Sequence, residues 1–390
     1  MAPAPSHMVN LDYAASTPMR AEALAAQARY DDSAIAGANP NSLHSLGRQA
    51  AAALEDARRT LARTLGPRVR TSEIILTGGG TESDQLALLG IAEGAREHDR
   101  TRTRVIVSAL EHDAILDNLP LLRAAGFTVD IVQPCRNGYV EPASLEAMLE
   151  RDVALVSIMY ANNETGVVQP LAELAQATHH VGAYFHTDAI QGYLHAPFTV
   201  EGLGVDALSA AGHKIGGPVA SGFLYLKSRT PLRPRIFGGG QEAGRRAGTQ
   251  DVRAAVAFAA AAAAVHEHLD ADYARVMELS SKLYRTLLVH PKIHASVEDP
   301  ESVKRLPGIV SIMVDDHDSE ELILQLDQAG FAVSAGSACS SGSLSASHVL
   351  TAMGIPSNQA FGALRISFDD RVDPRDLDAF AEALIACVER

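Results

Sequence analysis

Short apolar runs alternate with stretches of helical periodicity between about residue 70 and residue 230. The runs predict strands at Glu73–Thr77, Arg104–Ser108, Thr128–Val132, Val153–Ile158, Ala183–Thr187, Asp206–Ala210 and Gly222–Leu226. Amphipathic stretches between them, such as Glu82–Ala95 and Leu171–Val181, predict helices, the second opened by Pro170. Strands alternating with helices imply right-handed crossovers and a mainly parallel sheet covered on both faces, an α/β architecture. Ligands in such sheets bind at the carboxyl ends of the strands. The loops that follow the strands are therefore the first place to look for chemistry.

After about residue 250 the texture changes. Two long helices are predicted, Val252–Leu269 and Tyr273–Val289. They lead into a smaller α+β pattern: a strand over Ile309–Val314, a helix over Ser319–Ala329, a strand over Leu364–Phe368 and a last helix over Pro374–Val388. Between these lies a Gly- and Ser-rich segment, Ser334–Ser347. A chain of 390 residues exceeds what one hydrophobic core usually supports, so two domains are expected. The longest apolar stretch, Ala254–Val265, is Ala-rich and too short to span a bilayer, so it reads as a buried helix.

Composition narrows the partners. Hydrophobic residues make up 47% and charged residues 21%, as in soluble globular proteins. Lys plus Arg number 33 against 47 Asp plus Glu, a net charge of -14. That balance repels phosphate backbones, and the Arg229–Arg235 stretch is short and broken by Pro, so direct nucleic-acid binding is not expected. Three widely spaced cysteines, Cys135, Cys339 and Cys387, exclude a disulfide framework and give no paired spacing for structural zinc. A reducing cytoplasm is the simplest compartment, and residues 1–8 lack the basic-then-apolar run of a signal peptide.

Four segments carry candidate chemistry. Leu76-Thr77-Gly78-Gly79-Gly80-Thr81-Glu82 runs a strand into glycines and a helix start, which suits a phosphate and equally suits a plain tight turn. Asp188 follows a strand directly, where a carboxylate faces a cationic ring nitrogen or caps the next segment. Lys214, between a strand and Gly216-Gly217-Pro218, is either a solvated loop lysine or an amine whose partial burial favours Schiff-base chemistry. Cys339, in Ser337-Ala338-Cys339-Ser340-Ser341-Gly342-Ser343, sits among small flexible residues, where a thiol can reach and react. Cys387, by contrast, lies in an apolar helix as a structural cysteine does.

Taken together these segments resemble the cysteine desulfurases of the NifS/IscS type, within the fold-type I pyridoxal-phosphate (PLP) enzymes of the class V aminotransferase group. The resemblance covers nearly the whole chain, from Leu11-Asp12-Tyr13-Ala14-Ala15-Ser16-Thr17-Pro18 to Ala363-Leu364-Arg365-Ile366-Ser367. In order between them stand Asn39-Pro40-Asn41-Ser42-Leu43-His44, Gly79-Gly80-Thr81-Glu82-Ser83, Glu111-His112-Asp113-Ala114 and Asn162-Asn163-Glu164-Thr165-Gly166. Asp188-Ala189-Ile190-Gln191, His213-Lys214, Gly238-Gly239-Gly240-Gln241-Glu242 and Arg246-Ala247-Gly248-Thr249 follow. The resemblance implies a PLP-dependent transferase-like fold with a large domain, mainly parallel sheet flanked by helices, and a smaller α+β C-terminal domain. It implies residues 1–15 as a segment packing with the small domain, 16–258 as the large PLP-binding domain and 259–390 as the small domain carrying the cysteine loop.

The resemblance also implies roles. Lys214 is implied to hold the cofactor and move protons, Asp188 to keep the ring nitrogen protonated, and His112 to stack on the ring and assist acid–base steps. Asn163 and Gln191 are implied to bind the ring hydroxyl oxygen. Gly80, Thr81 and His213 would hold the phosphate, with Thr249 supplied by the other subunit of a homodimer. Arg365 is implied to clamp the substrate carboxylate, with Asn39 nearby; His44 receives no chemical role. Cys339 would take sulfur from L-cysteine as a persulfide, leave L-alanine, and pass the sulfur to an acceptor protein. That acceptor would be an iron–sulfur scaffold or a tRNA-thiolation or DNA-phosphorothioation component. No metal and no membrane enters this scheme.

Three departures stand out: Ala211 replaces the usual phosphate-binding serine, Gln85 an asparagine, and Ser345-Ala346-Ser347-His348 a segment with an acidic residue and proline. Rival readings are an aminotransferase, which has no need of a loop thiol, and a selenocysteine lyase, which the sequence leaves open. A non-catalytic PLP scaffold would be expected to lack Lys214, His112 or Cys339.

Overall fold

In the computed structural model, residues 8–335 and 346–390 are described. The chain enters through a short strand, β1 (Val9–Asn10), and two helices, Ala21–Asp31 and Ser45–Leu65. It then lays down β2 (Ile74–Thr77), β3 (Arg104–Ser108), β4 (Thr128–Val132), β5 (Val153–Ser157), β6 (Tyr184–Asp188), β7 (Ala207–Ala211) and β8 (Gly222–Leu226). These form one seven-stranded sheet in the order β2-β8-β7-β6-β5-β3-β4. Neighbours from β4 through β7 are parallel, joined by helical crossovers, whereas β8 runs antiparallel to both β7 and β2. The departure from parallel pairing has a simple cause. Only a short loop separates Ala211 from Gly222, too little chain for a crossover helix, and that loop carries Lys214.

Burial on both faces explains why the strands read as continuous apolar runs. Ile106 and Leu208 enter the core on one face, where Ala50, Leu54, Ala57, Leu61 and Leu65 of the Ser45–Leu65 helix recur every three or four residues. Val105, Val107 and Ala207 face the other side, against Leu86 and Leu89 of the helix Gly80–His98. His44 starts the Ser45–Leu65 helix: its Nδ1 accepts from Gly47 N at 3.3 Å.

A second unit follows. Its strands are β9 (Ile293–Ala295), β10 (Ile309–Val314), β11 (Phe331–Ala332), β12 (Ser334–Ala335) and β13 (Ala363–Ser367). β12-β13-β10-β9 make a four-stranded antiparallel sheet over its own core, which includes Val310, Leu364 and Phe380. β1 pairs in parallel with β11, and Val9 and Leu11 are buried in this second core. Residues 9–11 are thus held by the last third of the chain.

The two helices expected after residue 250 are one, Val252–Leu287. The polar Asp270-Ala271-Asp272 stretch contains neither Gly nor Pro, so it marks a change of partner rather than a break. Ala257, Ala261 and Val265 pack in the first core, and Val276, Leu283 and Leu287 in the second. The expected strands and the other helices recur with end shifts of a few residues at most, the usual scatter of element ends.

The outer edge of β2 is closed by charge rather than by another strand. Glu242 is fully buried, takes both Arg58 guanidinium nitrogens (2.7 and 3.0 Å), and accepts from Leu76 N at 3.0 Å; Arg58 also donates to Ile74 O at 2.7 Å. Burial opposes ionisation of Glu242, but Arg58 holds its carboxyl below the usual range. Breaking such a pair leaves the buried guanidinium with only the more exposed Glu55 carboxylate, 3.3 Å from its Nε. Glu242→Gln is therefore expected to cost about 3 kcal/mol of unfolding free energy in urea. A loss below about 1 kcal/mol would show that the pair does not hold this edge.

Candidate active site

The sequence-predicted residues gather where the strands end. Gly80 and Thr81 follow β2, His112 follows β3, Asn163 follows β5, Asp188 closes β6, and His213 and Lys214 follow β7. The parallel strands point their carboxyl ends to one side, which brings these loops together.

Lys214 is gripped by backbone. Its Nζ donates to Ala14 O at 2.5 Å and Ala15 O at 2.9 Å. Gln191 Nε2 donates to the same Ala14 oxygen at 2.9 Å. The Lys214 carbonyl accepts from Thr17 Oγ1 and from His195 Nε2, both at 2.9 Å, and Thr17 N donates to His213 O at 3.0 Å. The segment 14–17, tied at its start to the second unit, thus lies along the lysine loop. His213 is pushed down to about 4 by burial and by the neighbouring Lys214 charge, so it stays neutral at ordinary pH.

Asp188 is buried, and its Oδ1 accepts from Ile190 N at 2.8 Å, so it caps the turn that follows β6. Burial raises its pKa, while the Ile190 N–H and the neighbouring His112 and Lys214 side chains pull the other way. Of the two readings the sequence left open for Asp188, the structure shows the cap. His112 starts the helix Asp113–Leu116, accepting at Nδ1 from Ala114 N at 3.0 Å, which leaves Nε2 as the nitrogen turned to other partners.

The turn after β2 fits an anion. The helix Gly80–His98 begins with no side-chain cap, and Gly79 has φ 142°. A Cβ on Gly80 would lie 2.1 Å from Ile190 Cδ1 and 3.6 Å from the Ala211 methyl, so only glycine leaves this cradle open. The Ala211 methyl borders it and offers no hydroxyl. Open amides at a helix start, a buried carboxyl and an amine are the donor set that a phosphorylated pyridine aldehyde requires, and the residues fit pyridoxal phosphate.

Arg365 is 1% exposed. It donates to Asn163 O at 2.9 Å and to Asp12 at 2.8 Å, and its Nε has no hydrogen-bond partner. Its guanidinium therefore keeps one unmatched donor beside the site. Asn39 and Thr249 are placed differently, both on exposed loops. Asn39 Oδ1 accepts from Asn41, and Asn41 Nδ2 donates to Gln250 at 3.0 Å, so these two loops meet each other. Cys339 lies outside the described residues; the chain re-enters at Ala346. There Ser347 Oγ bonds Glu164 Oε2 at 2.5 Å, and His348 Nε2 contacts Glu111 O at 3.1 Å.

Several functional candidates escaped sequence reasoning. The Ala14 and Ala15 carbonyls carry no side-chain signal. Asp12, Glu111 and Glu164 stand inside recognised motifs, yet only the structure gives them partners. Glu111 is fully buried: Oε1 accepts from Ser108 Oγ and Met159 N, both at 2.8 Å, and Oε2 has none. Burial pushes it up to about 8. Because its folded pKa is raised, Glu111 stabilises the fold at low pH, and that stability is lost as pH rises from about 4.5 towards 8. Wild-type unfolding free energy should thus fall by about 2 kcal/mol more than that of Glu111→Gln between pH 6 and pH 8. Parallel pH profiles would refute a neutral Glu111.

Residues 9–380 match the family model "Aminotransferase class-V". A cysteine desulfurase IscS of Dictyoglomus turgidum is 36% identical over 382 residues, covering 98% of this chain and 95% of the relative. A solved NifS-like protein superposes with a TM-score of 0.89 at 32% identity, covering 98% of this chain and 99% of its own. A structure titled SspA in complex with cysteine does so at 0.79 and 28%, covering 93% and 99%. With the site's donor set fitting pyridoxal phosphate, the chain belongs to the PLP-dependent class V aminotransferases, among the cysteine desulfurases of the IscS/NifS type.

Proposed function

We propose that this chain is a cysteine desulfurase that converts L-cysteine to L-alanine and carries the sulfur on Cys339 as a persulfide to an acceptor protein. The observation that carries the reading is the meeting of Lys214, Asp188 and His112 at the ends of β7, β6 and β3. Pyridoxal phosphate, when bound, supplies an electron sink for the pair left on the substrate Cα.

The chain's own groups do the rest. Lys214 is the amine that would hold the cofactor and move the proton at the substrate Cα. Asp188 as an anion would keep the ring nitrogen protonated. His112 would stack on the ring, while Asn163 and Gln191 would hold the ring oxygen. Gly80, Thr81 and His213 cradle the phosphate. Arg365, with an unmatched Nε, takes the substrate carboxylate, and Asn39 assists it. The Cys339 thiolate attacks the substrate Sγ, and the Cβ–Sγ electron pair stays with the carbon that becomes the alanine methyl. The Glu164–Ser347 bond anchors the returning end of the cysteine segment beside Asn163.

A second copy of the chain completes this site by supplying Thr249. The loops of Asn39 and Thr249 expose Leu43 at 90% and Phe237 at 76%, apolar surface that a homodimer would cover. The proposed division is a large domain over 16–258 and a small one over 259–390 to which residues 9–11 pair, with the long helix continuous across the boundary. The acceptor is a scaffold, tRNA-thiolation or DNA-phosphorothioation protein in a reducing cytoplasm, where Cys339 stays a thiol. No helix among the described residues is long and apolar enough to cross a membrane.

Lys214→Ala tests the reading. The purified variant should lose the visible absorption of covalently held cofactor and release alanine from L-cysteine at least a thousandfold more slowly. An unchanged spectrum would remove Lys214 from the role.

A further inference from the structure

Asp84 projects from the start of the helix Gly80–His98 to the end of β6, and it is completely buried. Neither of its carboxyl oxygens has a hydrogen-bond partner within ordinary limits. Two polar groups nevertheless face it: the Asp188 carboxyl and the Ser209 hydroxyl of β7. A carboxylate facing a carboxylate has no bond to make until a proton stands between them.

The surrounding groups say where that proton sits. The charges that act on Asp84 come from Asp188 and Glu111, both acidic. The basic group beside it is His186 of β6, whose Nε2 is 3.8 Å from Asp84 Oδ1. That imidazole is spoken for: Nδ1 meets Ser157 Oγ at 2.8 Å, Nε2 meets Ser209 Oγ at 3.0 Å, and burial holds it neutral. Asp188, in contrast, feels the Lys214 charge and has the His112 ring beside it. Two buried carboxyls this close do not both ionise, and the one without a cation keeps the proton.

We infer that Asp84 is a positioning residue: it stays a neutral acid and donates its proton as a hydrogen bond to Asp188, which keeps Asp188 the anion facing the cofactor's ring nitrogen. The inference rests on the role proposed for Asp188. A donor behind Asp188 fixes the carboxyl's orientation and favours its charged form without adding a buried charge. A second carboxylate in its place would repel.

The test uses holoenzyme of the wild type, Asp84→Asn, Asp84→Ala and Asp188→Asn. Asparagine keeps the shape and one donor; alanine keeps neither. The infrared difference between wild type and Asp84→Asn should contain a protonated-carboxyl stretch belonging to the wild type. The pH midpoint of the bound cofactor's visible absorption should stay within about half a unit in Asp84→Asn and move by about one unit or more in Asp84→Ala. No carboxylic-acid band, or equal shifts in the two Asp84 variants, would overturn the inference. So would an Asp84→Ala midpoint that does not move while Asp188→Asn moves it. An Asp188→Asn midpoint identical to wild type would instead sink the role of Asp188 itself. Should the alanine variant fail to fold, the infrared band decides.

Discussion

A carboxylate buried at the end of β6 is the constraint around which the site is arranged. Charge taken out of water must be met by opposite charge or hydrogen bonds, or it takes up a proton. Asp188 meets this demand through the Ile190 N–H and the Lys214 charge, with the His112 ring beside it. The same demand decides its neighbours. Glu111 and Asp84 lie within reach of the same charge, lack cations of their own, and are pushed towards the neutral acid. With Asp188 as the proposed anion among these three buried carboxyls, the site would have a single negative pole, the arrangement a ring nitrogen needs if it is to stay protonated.

Holding the lysine opposite that pole is the work of the second unit. β1 pairs with β11, and Asp12 bridges to Ser367 on β13, so residues 14–17 arrive at the lysine loop from a sheet built by the last third of the chain. Ala14 and Ala15 then offer carbonyls to Lys214 Nζ, and Thr17 seals the loop backbone. Arg365 leaves the same sheet towards Asn163 and Asp12. The guanidinium is thereby set by the second unit, and the amine, carried by the first, is held by the segment that enters from the second. The long helix Val252–Leu287, packed into both cores, fixes the two together.

Much of this was legible in the sequence because it depends on periodicity and on ordered motifs. Strands buried on both faces announce themselves as apolar runs, and β3, β4 and β8 begin and end where those runs do. Lys214, Asp188, His112 and Arg365 stand out because their types and order are chemically specific. What escaped depends on backbone and on tertiary pairing. Nothing in an Ala-Ala pair tells of carbonyls that receive an ammonium. The polar stretch at Asp270 suggested a break because helix ends are polar, yet without Gly or Pro it only marks where the helix changes core. The antiparallel turn of β8 follows from loop length, a signal present in the sequence but quieter than the alternation around it. Asn39 and Thr249 are motif residues whose surroundings in one chain are mostly solvent.

The proposed chemistry delivers the sulfur of cysteine to one thiol, Cys339. One turnover of holoenzyme with L-cysteine, quenched by a thiol-alkylating reagent and followed by peptide mass analysis, tests it most directly. The peptide containing Cys339 should gain the mass of one sulfur atom in step with alanine formed, while those of Cys135 and Cys387 stay unchanged. Alanine produced with no sulfur on Cys339, or sulfur carried on another cysteine instead, would contradict it.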